Sequence, residues 1–585
     1  MGGQEALAWR RLLLRWSLRG VGGFRAVLLG LFLLAALNGF AARGQVPTNL
    51  PTPSVVGREV QPVDPPHAPN RPQLNVPDKA PTLGVPADLA GRQVLFRHVV
   101  VEGTTAFSAA DLDPIFAPIL NRRVPFAEIV AAVNRVAARY QEAGYVFYNV
   151  VLPTQDFTGE RLRIVVIEGT VTRIVVGDGI RSEAVRQRLV EVLSPLVGHR
   201  PLRRAELERR VLNAADTPGV TLKVGAAADS AGGTGALQLV VDGTFDRFSP
   251  IAQLDSFQTT PDTTVNFRVG GIGRSLFTGG DQLEGRYIFA VPWDRLHFGD
   301  VRYGLPIGSD GGRLNLIGQA VWQRPPATFN GQPISLLGRS ILGRAQYTHP
   351  IIRQQKMGLV GFGVFDVIEV DYTLQGVHIP GDSLRVLRAG LAGNYTDGLD
   401  GRWIASLQAS VGLDIVDART GARASATPGF AKFNLALQRR QPIGKTVTAI
   451  VRGTAQVATG SLPASEVFGF GGREFGRGFV VSDSVGDHAI AASAELRYAP
   501  DWLDSLKARF DPYVYTFIDY GRLWAIDPLN APFFNQGVST GLGLHARLFE
   551  EYSGEVEIAK ILVGRTSSTT TAHPWRFAFR LGSSF

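Results

Sequence analysis

The 585-residue sequence has no cysteine. That excludes disulfides, thiolate nucleophiles and thiolate metal sites, so stability must come from burial or from a sheet closed on itself. No run of 18 or more apolar residues occurs. This excludes a membrane-spanning helix but not a barrel, whose strands alternate and escape hydropathy scans. The nine histidines are scattered and no H-E-x-x-H is present. The glycine-rich stretches GGIGRS (Gly270–Ser275) and GLGLH (Gly541–His545) sit among strand patterns. They lack the strand-turn-helix context of a phosphate cradle and read as bends or turns. Asp487 beside His488 reads as a solvated or lumenal pair, not a catalytic one. Positive charge is also thinner than it looks. The formal net charge is +9, but residues 1–44 hold six arginines and one glutamate. Without them the chain is near +4, which gives nucleic-acid binding little support.

What is present begins with an address label. Arg10, Arg11, Arg15, Arg19 and Arg25 precede the apolar run Ala26–Leu37, and small residues follow at Gly39, Ala41, Ala42 and Gly44. A basic segment, a short apolar run and a small-residue exit predict a secretory signal peptide over 1–44, cut after Ala41, Ala42 or Gly44. A signal anchor is the rival, but the run is short and a proline-rich tail follows it. Residues 45–90 carry 11 of the 35 prolines. The 45–92 segment therefore reads as an extended linker, with a plug segment inside it left open.

Helical and strand patterns then alternate. QVLFRHVVVEGTTAF predicts a strand ending at a glycine turn. SAADLDPIFAPIL starts with Ser108 as a candidate N-cap and Asp111 three positions on. PFAEIVAAVNRVAARYQEAG is a strongly signalled helix. Pro125 suits its first turn, Ile129, Val133, Val136 and Tyr140 form one stripe, and Gly144 ends it. The strands YVFYNVVLP and RLRIVVIEG complete a β-α-α-β-β order over 93–169. The same order recurs over 170–246, from VTRIVVGDG through two helices to GVTLKVGAA and GALQLVVDG. This predicts two tandem α+β modules.

From 247 to 585 helix signals vanish and period-2 alternation takes over. Trp403, Ala405, Leu407, Ala409, Val411 and Leu413 share one face of their segment, and Ser406, Gln408 and Ser410 the other. Val447, Ala449, Val451, Ala455 and Val457 likewise oppose Thr448, Arg452, Thr454 and Gln456. Leu283, Tyr287 and Phe289 oppose Gln282, Glu284 and Arg286. A soluble sandwich or a transmembrane barrel would suit such strands. The last segment favours the barrel. Trp575, Phe577, Phe579, Leu581 and terminal Phe585 alternate with Arg576, Ala578, Arg580 and Ser584. An exposed aromatic edge of that kind would invite aggregation in a soluble protein.

The stretch SEVFGFGGREFGRGFVVSD (465–483) concentrates glycines around Arg473 and Arg477. Further on, Tyr513, Tyr515, Phe517 and Asp519 share one face of a strand, and Val514, Ile518 and Tyr520 the other. An aspartate facing lipid is costly, so that face should be lumenal. On the residues alone, Arg477 and Asp519 could pair or be separately solvated in a wide pore.

Together these features resemble the outer-membrane transporters of two-partner secretion, the haemolysin secretion/activation family of the POTRA-plus-barrel superfamily. YQEAGYVFYNVVLPTQDFTGERLRIVVIEGTV looks like the end of a first POTRA module, NAADTPGVTLKV resembles the second, and YTHPIIRQQ a barrel segment. LPASEVFGFGGREFGRGF, followed by GDHAIAASAELRY, is the most specific match. In the family it is a long loop that folds back into the barrel with a V-R-G-Y/F tip. Arg477, Gly478 and Phe479 match that tip, whereas Gly476 stands where valine is usual. The family pairs the arginine with an aspartate of F-x-D-x-G on the barrel wall, matched here by Phe517, Asp519 and Gly521. Phe585 resembles the C-terminal barrel-assembly signal.

The resemblance implies two periplasmic POTRA domains and an antiparallel outer-membrane β-barrel of 16 strands, in a non-enzymatic protein transporter. Its implied partners are a secreted exoprotein with an N-terminal secretion domain, outer-membrane lipid and the barrel-assembly machinery. No cofactor, metal or nucleic acid is expected. The rivals are a barrel-assembly insertase, against which two modules rather than about five argue, and a passive porin, which would need no modules. An exported enzyme would need a nucleophile–base or metal constellation that the sequence does not display.

Overall fold

The structure is a computed structural model describing residues 73–75, 82–85, 87, 89, 91–155, 160–256, 265–325, 327–329, 332–421, 423, 425–500, 511–548, 552–565 and 574–583. The expected signal peptide, most of the linker and Phe585 lie outside the described residues.

The first module contains β2 (Gln93–Leu95), β3 (His98–Glu102), α1 (Ala109–Phe116), β4 (Arg123–Pro125), α2 (Phe126–Glu142), β5 (Tyr148–Val151) and β6 (Arg161–Glu168). Ser108 caps α1 as its spacing predicts. Its N–H and its Oγ donate to the Asp111 carboxylate at 2.9 and 2.6 Å. The α2 stripe of Ile129, Val133, Val136 and Tyr140 is fully buried against the sheet β3-β6-β5. Gly144 follows the helix at φ +78°. The single strand expected before the turn at Gly103 is instead two. β2 pairs with β4, and β3 runs parallel to β6. Phe96 causes the break. Its ring is buried in the module core, and its carbonyl accepts from the Asn121 N–H at 2.7 Å.

The second module repeats the order with β7 (Thr170–Val176), α3 (Glu183–Leu193), α4 (Arg204–Ala215), β8 (Val220–Ala228) and β9 (Ala236–Phe245). Its sheet has an unforeseen fourth member. β1 (Gln73–Asn75), from the proline-rich segment, runs parallel to β8 at the sheet edge, with Leu74 packed on the core. The modules are joined by backbone bonds, among them Val146 N–H to the Leu202 carbonyl at 2.9 Å.

The remaining main strands are β10 (Phe248–Asp255), β11 (Val265–Arg274), β12 (Gln282–Val291), β13 (Leu296–Ile307), β14 (Gly312–Gln323), β17 (Leu336–Arg353), β18 (Met357–Leu374), β19 (Val377–Thr396), β20 (Arg402–Leu413), β21 (Ala431–Ile443), β22 (Val447–Ala458), β25 (His488–Tyr498), β26 (Tyr513–Trp524), β27 (Gln536–Leu548), β28 (Tyr552–Val563) and β29 (Trp575–Ser583). They form one closed barrel of 16 antiparallel strands, completed by pairing of β10 with β29. Two small hairpins interrupt the count, β15 (Ala327–Phe329) with β16 (Gln332–Ile334), and β23 (Phe468–Phe470) with β24 (Ser484–Gly486). Closure satisfies the backbone without a free sheet edge, which is what a strand-built membrane span requires.

Alternation sorts the barrel's side chains as expected. Leu407, Val411, Val451, Val457, Trp575 and Phe577 are exposed on the outside. Arg286, Gln456 and Asp519 are buried on the inside. Phe579 departs from the exposed stripe. It is buried beside the closing seam, where its N–H donates to Ser256 Oγ at 2.8 Å and its carbonyl accepts from the Ser256 N–H. GGIGRS runs through the end of β11 and GLGLH lies within β27, so both belong to the barrel wall. On the module side, the β13–β14 turn meets α4 through Arg209, which donates to Asp310 at 2.5 and 3.2 Å. Arg353 at the end of β17 pairs with Asp216. The loop between β22 and β25 therefore opens on the opposite side.

Candidate functional site

That loop, residues 459–487, does not project outward. It folds against inward-facing side chains of the wall, and its tip Arg477 meets Asp519 of β26. The Arg477 Nε and Nη2 donate to the two Asp519 oxygens at 3.2 and 3.0 Å, and its backbone N–H adds a third bond at 2.9 Å. The same guanidinium donates to Glu495 of β25 at 2.7 Å and to Ser493 at 3.1 Å, and lies 3.7 Å from Glu557 of β28. It also stacks on the Phe517 ring, 3.4 Å from its centroid. All four charged groups are buried. The guanidinium's planar fork suits this arrangement, because it offers paired donors and a flat face at once.

The neighbouring motif residues explain themselves by space. A Cβ on Gly478 would fall 2.9 Å from the Ser539 Cβ and 3.1 Å from Ile561 Cγ1, so glycine lets the backbone reach the wall. The buried Phe479 ring packs with Phe470 and Phe534 at centroid distances of 5.4 and 5.0 Å. Gly521, the last residue of F-x-D-x-G, holds the Phe470 ring. A Cβ there would sit 2.2 Å from that ring. The carbonyls of Arg477 and Phe479 accept from Arg576 of β29, the first of these bonds at 3.3 Å.

Arg477, Gly478 and Phe479 are thus brought together with Phe517, Asp519 and Gly521. Arg473 is not part of this contact. It is more than half exposed and approaches Glu555 at 3.9 Å. Sequence reasoning missed Glu495, Glu557, Arg576 and Phe470. A signal for Glu557 was available, since Glu555 and Glu557 occupy alternate positions of one strand and so share a face. Phe470 carries no charge and nothing in its spacing marks it.

Of the two readings of the Asp487–His488 pair, solvated or lumenal, the solvated one is corrected for Asp487. Asp487 is fully buried because it ties three segments together. Its carboxylate accepts from Arg423 at 3.0 Å and from the Leu462 and Ile526 N–H groups at 2.9 Å each. His488 Nδ1 accepts from the Ala458 N–H at 3.2 Å.

A closed 16-strand barrel behind two α+β modules, with a loop docked inside its lumen, is an architecture of the POTRA-plus-barrel type. Two family models match the sequence. One is POTRA domain, ShlB-type, over residues 94–169, and the other is Haemolysin secretion/activation protein ShlB/FhaC/HecB, over 299–544. Together they span more than half of the chain, and the chain belongs to that haemolysin secretion/activation family. Similar solved structures include CdiB from Escherichia coli, with a TM-score of 0.68 at 18% identity over 86% of this chain and 93% of that one. CdiB from Acinetobacter baumannii has a TM-score of 0.62 at 15% identity over 96% of this chain and 97% of that one. Comparison with curated protein sequences found no match. Family and architecture place the barrel in the outer membrane and the modules in the periplasm, with a secreted exoprotein as partner.

Proposed function

We propose that this chain is a non-enzymatic two-partner secretion transporter whose modules capture an unfolded exoprotein in the periplasm and whose barrel passes it to the cell surface. The observation that carries this reading is the loop folded into the lumen with Arg477 against Asp519. A passive pore has no use for a removable occupant held by specific bonds, whereas a conduit for a polypeptide needs one that seals it at rest. The exoprotein would carry an N-terminal secretion domain recognised at a module sheet edge by strand addition. No nucleotide motif marks the sequence, so folding of the cargo outside the cell would bias movement outward. Residues 1–44 would direct export as a cleaved signal. The assembly machinery would read the C-terminal segment that includes Phe585. The apolar outer belt would face lipid.

The test compares a strain lacking the protein with its parent. Loss of one large secreted protein with normal levels of other outer-membrane barrels supports transport. General depletion of barrels would make the chain an insertase instead, and normal secretion with reduced solute uptake would make it a porin. Deleting residues 93–245 should abolish secretion while leaving a conducting pore. Normal secretion by that variant would refute capture by the modules.

A further inference from the structure

The tip is not the only place where the loop is bound. Near its start, Glu466 is 1% exposed and sits between two cations of the wall. Arg388 of β19 donates from Nη1 and Nη2 to its two carboxylate oxygens at 3.0 and 2.6 Å. Lys432 of β21 lies 2.8 Å from the same carboxylate and donates to the Glu466 carbonyl at 2.7 Å. The preceding residue is fixed too, since the Ser465 N–H and hydroxyl donate to Asp382 at 2.8 and 2.6 Å. Behind Glu466 the wall continues with Asp366, which accepts from both Arg388 and Arg344 at 2.7 and 2.6 Å.

The signs of these contacts are informative. On the β17–β21 arc, Arg344 and Arg388 share the wall carboxylate Asp366, and the loop's Glu466 adds a second anion that Arg388 and Lys432 share. On the β25–β28 arc, Glu495, Asp519 and Glu557 surround the cation that the loop supplies. One loop thus brings an anion to a wall site that holds cations and a cation to a wall site that holds carboxylates. Burying charge without a partner is strongly unfavourable, so neither contact opens until water or cargo replaces what leaves.

We propose that Glu466 is a second latch of opposite sign to Arg477, a positioning residue that fixes the base of the loop and thereby holds the tip in register with Asp519. Withdrawal of the loop then uncovers Arg388 and Lys432 at one wall site, and Glu495, Asp519 and Glu557 at the other, for the passing chain. The inference rests on the reading of the loop as a movable seal. Its test does not depend on secretion.

Single-channel currents of the full chain in planar lipid bilayers provide that test, with heat-modifiable gel mobility as the check that each variant has a folded barrel. Glu466→Gln should raise the frequency of opening events at least tenfold and shift selectivity toward anions. Arg477→Gln should also raise opening but shift selectivity toward cations. Glu466→Asp, which keeps the anion, should return opening most of the way to the parent level. Lys432→Gln, which leaves Arg388 in place, should give a smaller rise in opening and keeps the question answerable if Glu466→Gln fails to fold. If Arg477→Gln alters the currents but neither Glu466→Gln nor Lys432→Gln does, the second latch is wrong and the movable seal survives. If none alters them, both fall. A shift toward cations in Glu466→Gln would also overturn the assignment.

Discussion

Replacing Arg477 by alanine is the sharpest test of the loop's docking. The substitution leaves Asp519, Glu495 and Glu557 buried without the cation that they share. Removing one partner of a buried ion pair costs about 3–5 kcal/mol, chiefly from the charge left behind. The barrel itself is closed by strand pairing, so the cost should fall on docking and not on the fold. Two aromatic anchors oppose release. Burial of Phe470 and Phe479 contributes about 1.5–3 kcal/mol each, a total similar to the loss. The variant loop should therefore exchange between docked and released states, with the equilibrium moved by roughly two to four powers of ten at about 1.4 kcal/mol per decade. The sequence has no cysteine, so one introduced thiol is unique. Ser539 is fully buried under Gly478, and Ser539→Cys places the thiol where only loop release exposes it. Its rate of modification by a membrane-impermeant maleimide should rise at least a hundredfold when Arg477→Ala is added. Arg477→Lys should lie between, because it keeps the charge but loses the fork and the stack on Phe517. A rate within about twofold of the Ser539→Cys parent would refute the argument.

Two further outcomes follow from local geometry. Gly521→Ala puts a Cβ 2.2 Å from the Phe470 ring, so the ring must leave its seat. Loss of about 1.5–3 kcal/mol of burial should speed modification of the same thiol by one to two powers of ten, and an unchanged rate would show that Phe470 does not anchor the loop. In the first module, Glu168 accepts from the Thr105 N–H and hydroxyl, the Ala106 N–H and the Tyr140 hydroxyl. Burial pushes its pKa up, but these bonds outweigh that and hold it below the ordinary 4.5. Its stabilisation is thus complete above the ordinary value and disappears as pH falls through the lower folded one. Amide protection of Thr105 and Ala106 in the full chain should drop between about pH 5 and pH 3, and Glu168→Gln should remove that pH dependence. A parallel drop in the variant would mean another group is responsible.

The parts of this protein legible in sequence are those that a period or a charge announces. Period-2 alternation marks the wall strands because a barrel separates lipid from lumen at every step. The α2 stripe is readable for the analogous reason, with one face on the sheet. The Arg477–Asp519 contact was approachable because a charge on a strand must choose the wet side. What stayed hidden is decided by neighbours that the chain brings together from far apart. The strand Gln73–Asn75 has no pattern of its own and exists only because β8 offers an unpaired edge. Glu466 lies in a loop without alternation, so nothing in its spacing points to Arg388 and Lys432. Gly476 shows how the two kinds of information combine. The family pattern has valine there, and on sequence grounds its replacement only loosens the motif. In the fold, Gly476 takes φ +81°, a conformation that a β-branched side chain strongly resists, and a Cβ would lie 2.8 Å from the Phe470 ring. The same ring fills the hollow over Gly521. In this chain Phe470 therefore occupies the volume that a valine side chain would need, and the lock at Arg477 is packed from the first strand of its own hairpin instead of from the residue beside it.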